Sequence, residues 1–272
     1  MNTKTTVRTL QAKKARGEKI VMLTAYDAVT ARWAAEAGCD MLLVGDSMAN
    51  TVLGYPTTIP LTLEESIFHT SAVRRGAPDA FVVGDMTFMS YQLDVNDAVR
   101  NAGRYLKECG ADAVKLEGGR EMLPVIRRMV EVGIPVVGHI GLLPQSINKD
   151  GGYRIHGRGE EEARRLTEDA RALDEAGVCS FCMEGIPREL AAAITASVGV
   201  PTIGIGAGGG CDGQVQVIAD LLGLAPEGGF LPRHAKNYAR LNEIAVAAIR
   251  QYADEVRQGV FPSEANSFSS AK

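Results

Sequence analysis

The chain has 272 residues, 46% of them hydrophobic, which is enough to bury one large core of the size that a single barrel domain needs. This length leaves little room for a second full domain. The net charge of -4, from 29 basic and 33 acidic residues, provides no positive field that would favour nucleic acid or an anionic membrane. We therefore expect the protein to act on a small molecule.

The segment 1–19 is basic, but no hydrophobic signal core follows it. No later apolar run is long enough to span a bilayer. The five cysteines are odd in number and do not stand at the spacings of a disulfide framework. These features predict a cytoplasmic protein with reduced thiols and no secretion signal.

Short β-rich runs alternate with longer helical patterns along the chain. Helical patterns include 96–109 and 160–176, and an eighth strand is expected within 215–224, where a helix and a strand fit in close succession. The alternation predicts an α/β fold, a single-domain (β/α)8 TIM barrel with its active site at the carboxyl ends of the strands. The seven clear strands are predicted at 20–24, 40–44, 80–83, 111–116, 134–137, 178–183 and 202–205.

An open doubly wound sheet also alternates strands and helices, but no G-x-G-x-x-G loop follows the first strand, and this favours the barrel. The barrel domain is predicted over 1–260, and the Ser-rich stretch 261–272 is predicted to be a flexible tail. The segments 47–60 and 141–159 both follow strands and are rich in loop-forming residues. We expect them to be loops over the active site.

Carboxylates stand just after the predicted strand ends. Asp46, Asp85 and Glu117 follow three successive strands, and barrel strands converge at their carboxyl ends. A single Asp in such a place is usually a helix cap, but three clustered carboxylates repel each other unless a hard cation is bound. Mg²⁺ prefers oxygen ligands, so the sequence predicts a Mg²⁺ site at these three residues.

Two other charged residues lie at strand ends. Lys115 points to the same face as Glu117, towards the barrel interior. It is predicted either to form an ion pair with Glu117 or Asp85, or to grip an oxygen of the substrate. Glu184 ends an apolar run and is the predicted general base.

Two further features leave alternatives open. His139, at the end of an apolar strand, is expected either to touch the site or to serve only the structure. The four histidines as a group have no zinc-ligand spacing. The Gly-rich segment 204–210 either cradles a phosphate, which would indicate a phosphate-sugar barrel enzyme, or serves as a flexible turn.

Several separated blocks of the sequence resemble the ketopantoate hydroxymethyltransferase family, across nearly the full length of the chain. The family usually has Pro where this chain has Thr87, but the neighbouring Asp85 is retained. The matching blocks include Thr24-Ala25-Tyr26-Asp27, Val44-Gly45-Asp46-Ser47, Phe88-Met89-Ser90-Tyr91, Val114-Lys115-Leu116-Glu117-Gly118-Gly119, Gly138-His139-Ile140-Gly141-Leu142, Pro144-Gln145-Ser146 and Gly204-Ile205-Gly206-Ala207-Gly208.

The resemblance implies transfer of a hydroxymethyl group from 5,10-methylenetetrahydrofolate to 3-methyl-2-oxobutanoate, through a Mg²⁺-stabilised enolate. The product would be ketopantoate, in the first step of pantothenate and coenzyme A biosynthesis. The resemblance also implies one Mg²⁺ per subunit, with Glu117 acting directly or through a second layer of contacts, and a homodecamer. By the same resemblance Glu184 accepts the proton, and the keto acid contacts Asp46, Ser47, Asp85 and Lys115.

Other functions remain open at this stage. The nearest is a Mg²⁺-dependent keto-acid lyase or mutase of the phosphoenolpyruvate mutase and isocitrate lyase type, although the Lys-Cys-Gly-His loop of the lyases is absent. A metal- or folate-binding scaffold without chemistry is the non-enzyme alternative. The apolar region 220–247 would either cover a partner subunit or pack on the barrel as an ordinary outer helix.

Overall fold

The computed structural model describes residues 4–225, 229 and 231–270. The chain divides into two compact units, Met1–Val217 and Ile218–Lys272. The first unit contains a closed barrel of eight parallel strands, each hydrogen-bonded to the next in chain order and the last to the first. This closure confirms the predicted TIM barrel and excludes the open sheet.

The strands are β1 (Ile20–Thr24), β2 (Met41–Val44), β3 (Phe81–Asp85), β4 (Ala113–Lys115), β5 (Val136–Gly141), β6 (Ser180–Glu184), β7 (Thr202–Ile205) and β8 (Gly213–Gln216). The helices of the first unit are α1 (Val7–Ala15), α2 (Ala28–Glu36), α3 (Met48–Thr51), α4 (Leu63–Gly76), α5 (Val95–Cys109), α6 (Leu123–Glu131), α7 (Ile147–Asp150), α8 (Glu160–Glu175) and α9 (Arg188–Ser197). Short 3-10 turns lie at Arg120–Met122 and Pro144–Ser146.

The seven clear strands all form, but some of their boundaries differ from the prediction. β5 continues to Gly141, so His139 lies inside a strand and not at its end. The eighth strand starts at Gly213, ahead of the predicted segment, and α10 (Ile218–Leu222) follows it. Pairing with the neighbouring strands sets these limits, and the hydrophobic pattern does not report such pairing.

The two segments predicted to be loops contain short helices. α3 lies within 47–60, and α7 with the turn Pro144–Ser146 lies within 141–159. Their backbone groups are satisfied by local hydrogen bonds, as in the bond from the Ala49 N–H to the Asp46 carbonyl at 2.9 Å. The prediction of loops rather than helices or strands was therefore wrong in part.

Alternation along each strand separates two cores. Inward-facing residues such as Met41, Phe81 and Ile203 fill the barrel interior, whereas outward-facing residues such as Val114 and Phe181 pack against the helices. β2 and β3 are buried along their whole length, as parallel strands covered on both faces should be. The inward face of β3 continues from Phe81 through Val83 to Asp85, so the barrel interior leads directly to a carboxylate.

The amino-terminal end of the barrel is covered by α1. Leu10 is fully buried there and packs with the barrel interior. Lys13 Nζ lies 2.5 Å from Asp40 and Lys14 Nζ lies 2.7 Å from Asp212, two residues that precede β2 and β8. These contacts hold α1 across the starts of the strands. In TIM barrels this end contributes to stability, and the active site lies at the other end.

The second unit contains α10 and α11 (Leu241–Arg257). Several large apolar side chains of α11 are exposed, among them Ile244, Ile249 and Tyr252. The predicted tail includes a 3-10 turn at Glu264–Asn266, and its last two residues lie outside the described part of the chain. Among the described helices, none combines the length and apolar character that crossing a bilayer requires.

Leu10→Ala is expected to lower the free energy of unfolding by about 3 kcal/mol, because it removes a fully buried side chain and leaves a cavity under the barrel. Urea denaturation followed by circular dichroism measures the change. Gln11→Ala, on the exposed face of the same helix, is the matched control and should change stability by less than about 0.5 kcal/mol. Equal stability of the two variants would contradict a sealing role for α1.

Candidate active site

The centre of the site is an ion pair between neighbouring strands. Asp85 ends β3, Lys115 ends β4, and the two are paired in register. Lys115 Nζ donates to both carboxylate oxygens of Asp85, at 2.7 and 2.9 Å. Both residues are buried, at 1% and 4% exposure. Of the two partners that the sequence allowed for Lys115, the hydrogen-bonded one is Asp85.

The packing behind Asp85 explains a nearby glycine. Tyr105 of α5 donates through its hydroxyl to the Asp85 carbonyl at 2.8 Å. A Cβ atom at Gly84 would stand 2.3 Å from the Tyr105 ring, so only glycine lets the ring approach the strand. The helix layer thus supports the strand end that carries the ion pair.

Asp46 and Glu117 complete the acidic cluster. The Asp46 backbone N–H donates to Asp85 Oδ2 at 3.1 Å, and Gln145 Nε2 donates to Asp46 Oδ2 at 3.0 Å. The Gln145 backbone N–H donates to Glu117 Oε2 at 3.1 Å. The other oxygen of Glu117, Oε1, is buried and has no hydrogen-bond partner among the described residues.

His139 and Glu184 lie next to Glu117, on β5 and β6. His139 Nε2 is 3.3 Å from Glu184 Oε2, and His139 Nδ1 is 3.6 Å from Glu117 Oε1. The Glu184 side chain keeps 18% of its surface exposed, whereas that of Glu117 keeps 3%. Glu184 is therefore the carboxylate that a substrate can reach most easily at the open carboxyl end of the barrel, which we call the mouth. Of the two alternatives for His139, the structure supports contact with the site.

Charge in this cluster is unbalanced, with three carboxylates around one ammonium group. Burial raises the pKa of Asp85 to about 6, and Asp46 adds to this rise while Lys115 opposes it. Burial also raises the pKa of Glu117 well above its usual range. Burial lowers the pKa of Lys115, but the surrounding carboxylates outweigh it and the net shift is upward. The excess of negative charge favours binding of a further cation.

Burial lowers the pKa of His139, and the nearby Lys115 adds to this effect. The imidazole is therefore neutral near pH 7. A neutral imidazole beside Glu184 can accept or donate a hydrogen bond without adding charge to the cluster.

The acidic cluster of Asp46, Asp85 and Glu117 offers oxygen ligands of the kind that Mg²⁺ binds. Among the described residues, no three His, Cys, Asp or Glu side chains are arranged to hold a metal ion. Gln145 hydrogen-bonds both Asp46 and Glu117, so the three carboxylates do not form one cage. Asp46 and Asp85 remain adjacent, however, and Mg²⁺ in proteins commonly takes one or two carboxylates and completes its shell with water or substrate. The donor set fits a two-carboxylate site.

Ser47 follows Asp46 at the start of α3. Its hydroxyl oxygen lies 2.8 Å from the Tyr26 hydroxyl, in a hydrogen bond that either group can donate. Tyr26 is buried, and its carbonyl lies 2.5 Å from His69 Nδ1. The Ser47 side chain is thus held by a residue from the first strand-to-helix connection.

The Gly-rich segment after β7 is explained in part by packing. A Cβ atom at Gly208 would stand 2.4 Å from Arg188, and one at Gly210 would stand 2.7 Å from Ala192. Close approach to α9 therefore requires glycine at both positions. No phosphate cradle is needed to explain these two residues.

Two residues of the site had no role in the sequence-based prediction. Gln145 and Tyr91 occur in the blocks that carry the family resemblance, but nothing in their surroundings indicates a ligand or a base. Gln145 and Asp46 are 99 positions apart in the chain. A polar residue in the loop after a barrel strand is the one available signal, and it does not single out either residue.

Comparison with known proteins tests the resemblance. Residues 4–264 match the family model described as ketopantoate hydroxymethyltransferase. The chain belongs to the ketopantoate hydroxymethyltransferase family. A 3-methyl-2-oxobutanoate hydroxymethyltransferase of Moorella thermoacetica is 55% identical over 263 residues, covering 97% of each chain. The enzyme of the same name from Desulfotalea psychrophila is 53% identical, covering 98% of this chain and 95% of the relative. The chain is thus an enzyme of the hydroxymethyltransferase class.

Solved structures show the same fold at low sequence identity. A phosphonopyruvate hydrolase in complex with oxalate and Mg²⁺ has a TM-score of 0.62 at 13% identity, covering 97% of this chain and 92% of the other. A 2,3-dimethylmalate lyase of the PEP mutase/isocitrate lyase superfamily has a TM-score of 0.59 at 20% identity, covering 94% and 89%. These likenesses support the barrel and do not carry over an activity.

Lys115→Met is expected to lower the free energy of unfolding by about 3 kcal/mol at pH 8, because Asp85 loses the cation that balances its buried charge. Loss of Lys115 also raises the pKa of Asp85 above about 6. A raised pKa favours the folded state at low pH, so the deficit should shrink as the pH falls and Asp85 is protonated.

Urea denaturation between pH 5 and 8 measures this deficit. Lys13→Met, which removes a more exposed ion pair at the other end of the barrel, is the matched control and should cost about 1 kcal/mol or less. A Lys115→Met deficit that grew towards low pH would contradict the assignment of the ion pair.

Proposed function

We propose that this enzyme transfers a hydroxymethyl group from 5,10-methylenetetrahydrofolate to 3-methyl-2-oxobutanoate, giving ketopantoate in the first step of pantothenate biosynthesis. Membership of the family supports the reaction class. One observation carries the proposal. The carboxyl end of the barrel holds a buried acidic cluster, which would favour a cation, and next to it the more accessible carboxylate of Glu184. The acidic cluster consists of Asp46, Asp85 and Glu117. Proton removal beside a carbonyl needs both parts.

Asp46 and Asp85 would hold one Mg²⁺ ion, and Glu117, separated from Asp46 by Gln145, would act through water. The metal supplies positive charge that stabilises the negative charge which develops on the keto-acid oxygens. Glu117 Oε1, which has no hydrogen-bond partner within the described part of the chain, supports this role, because a buried carboxylate oxygen without a donor is costly unless water or another ligand is bound.

Lys115 and Ser47 would contact the keto acid together with the two aspartates. An ammonium group has three N–H donors, and two of those of Lys115 are directed at Asp85. The third N–H of Lys115 would donate to a substrate oxygen. Tyr26 holds the Ser47 hydroxyl at the same mouth, so the substrate contacts are oriented before binding.

Glu184 would remove the proton from C3 of the keto acid. His139 lies 3.3 Å from this carboxylate, and because burial lowers the pKa of His139, the imidazole adds no charge beside the base. The enolate carbon would then bond to the methylene carbon of the folate as one of its two carbon–nitrogen bonds breaks. Water would bond to the same carbon as the second carbon–nitrogen bond breaks, giving the hydroxymethyl group of ketopantoate. The proton taken from C3 and one proton of that water would go to the two nitrogens, which gives tetrahydrofolate. Lys115 stabilises the negative charge on the enolate oxygens.

A homodecamer with one Mg²⁺ per subunit stays a prediction that rests on the family resemblance. A cytoplasmic location stays a prediction that rests on the sequence. The exposed apolar side chains of α11, such as Ile244 and Ile249, are compatible with a subunit interface.

Proton NMR of 3-methyl-2-oxobutanoate in D₂O, with the protein and Mg²⁺, tests the proposal. We expect exchange of the C3 proton without folate, formation of ketopantoate after 5,10-methylenetetrahydrofolate is added, and loss of both with a chelator. Exchange without transfer would point instead to a keto-acid lyase or mutase. Absence of both would indicate a binding scaffold.

Glu184→Gln is expected to lower C3 proton exchange by at least about 100-fold, because the base is removed while the shape is kept. Binding of Mg²⁺ and keto acid, measured by calorimetry, should stay close to wild type. Glu189→Gln, on the exposed start of α9, is the control and should exchange at the wild-type rate. Undiminished exchange in Glu184→Gln would reject the role of this residue.

Asp85→Asn is expected to weaken Mg²⁺ binding about tenfold or more, because one ligand charge is lost. In the wild type, protons compete with the cation for Asp85, whose pKa burial raises to about 6, and for Glu117. Mg²⁺ affinity should therefore rise between pH 5.5 and 7.5. The rise should be smaller in Asp85→Asn, and calorimetry at several pH values measures both effects. A wild-type affinity in the variant would exclude Asp85 as a ligand.

A further inference from the structure

Gln145, in the loop after β5, hydrogen-bonds both Asp46 and Glu117, although the proposed function gives it no part in the reaction. We propose that Gln145 is a positioning residue, which determines which oxygen atoms of Asp46 and Glu117 face the bound cation and substrate. The proposal rests on the proposed function, because it concerns the same carboxylates. It adds a group that touches no reacting atom and acts through Asp46 and Glu117.

Backbone groups settle the orientation of the Gln145 side-chain amide, whose Oε1 also accepts from Gln92 Nε2 at 3.2 Å. The Glu117 N–H donates to the Tyr91 hydroxyl at 3.2 Å, so the hydroxyl hydrogen is free to donate to Gln145 Oε1 at 2.8 Å. Gln145 Nε2 donates to the Met86 carbonyl at 2.9 Å, which can only accept. The amide orientation therefore follows from its partners, and Nε2 faces Asp46.

This orientation occupies one oxygen of each carboxylate. Nε2 donates to Asp46 Oδ2, and the Gln145 backbone N–H donates to Glu117 Oε2. Glu117 Oε1 is left buried, without a hydrogen-bond partner among the described residues, on the side where His139 Nδ1 lies 3.6 Å away. A single residue thus holds one oxygen of Glu117, leaves the other on the His139 side, and limits rotation of the Asp46 carboxylate. Gln145 is neutral, so it does so without adding to the excess of negative charge.

The loop that carries Gln145 is also fastened to the strand of the base. Its Leu142 N–H donates to the Glu184 carbonyl at 2.8 Å. Gly141 has a positive φ of 98° and leaves no room for a side chain, because a Cβ atom there would stand 2.2 Å from the same carbonyl. The turn therefore joins the loop that carries Gln145 to the backbone of Glu184, so one loop conformation places Gln145 relative to β6 as well as to Asp46 and Glu117.

The test compares Gln145→Met with wild type, since Met keeps the length and removes both polar side-chain atoms. Mn²⁺ binding is measured by electron paramagnetic resonance of the free ion, without substrate, and C3 proton exchange is measured by NMR. Gln11→Met, the same change on the exposed face of α1, is the control. Binding of Mn²⁺ requires no turnover, so this readout is independent of the activity.

We expect Gln145→Met to bind Mn²⁺ about tenfold more weakly with an unchanged number of sites per chain, and to lose a similar factor in kcat for exchange. A merely structural role would instead reduce the number of sites and leave the affinity of the remaining sites at the wild-type value. That result, or wild-type affinity and kcat, would overturn the proposal. If wild type binds Mn²⁺ but transfers nothing, the proposed function fails while the affinity comparison still decides the role of Gln145.

Tyr91→Phe provides a second variant in case Gln145→Met does not fold. It removes only the hydroxyl that joins the Glu117 N–H to Gln145 Oε1. We expect a smaller loss of Mn²⁺ affinity in the same direction, because the amide orientation is weakened but the two bonds to the carboxylates can still form. An unchanged affinity in this variant would count against the proposal.

Discussion

The Lys115–Asp85 ion pair is the interaction on which the rest of the site depends. Two opposite charges that are both almost fully buried are stable only when they are close and well hydrogen-bonded, and the 2.7 and 2.9 Å contacts meet that condition. The barrel supplies the geometry, because adjacent parallel strands in register bring their last residues side by side. Tyr105 of α5 packs against Gly84 and donates to the Asp85 carbonyl, so the helix layer holds the end of β3 in place.

The pair does not neutralise its surroundings, and this imbalance has a chemical use. Burial raises the pKa of both Asp85 and Glu117, and the charge of Asp46 adds to the rise, so both carboxyl groups hold protons more tightly than they would in water. A divalent cation would replace those protons and stabilise the cluster. Under the proposed function, this excess of negative charge would favour binding of Mg²⁺ at Asp46 and Asp85.

The two ends of the barrel serve different purposes. At the amino-terminal end, α1 covers the interior with Leu10 and is fastened by ion pairs to residues that precede the strands. At the carboxyl end, loops bring Gln145 and Ser47 to the strand termini. Stability and chemistry are therefore separated along the barrel axis, so that loops can be arranged for function without weakening the core.

The sequence by itself determined the barrel and most of the charged residues of the site. Strand and helix periods alternate along the chain, and the place of Asp46, Asp85, Lys115, Glu117 and Glu184 at strand ends follows from that pattern. Family membership followed from the motif blocks. Only the tertiary structure decided which of these charges touch. It paired Lys115 with Asp85, put His139 inside β5 between Glu117 and Glu184, and placed Gln145 between Asp46 and Glu117. The physical reason is that periodicity reports which face a residue occupies, whereas contacts between distant segments depend on strand register and loop conformation, which no local pattern encodes.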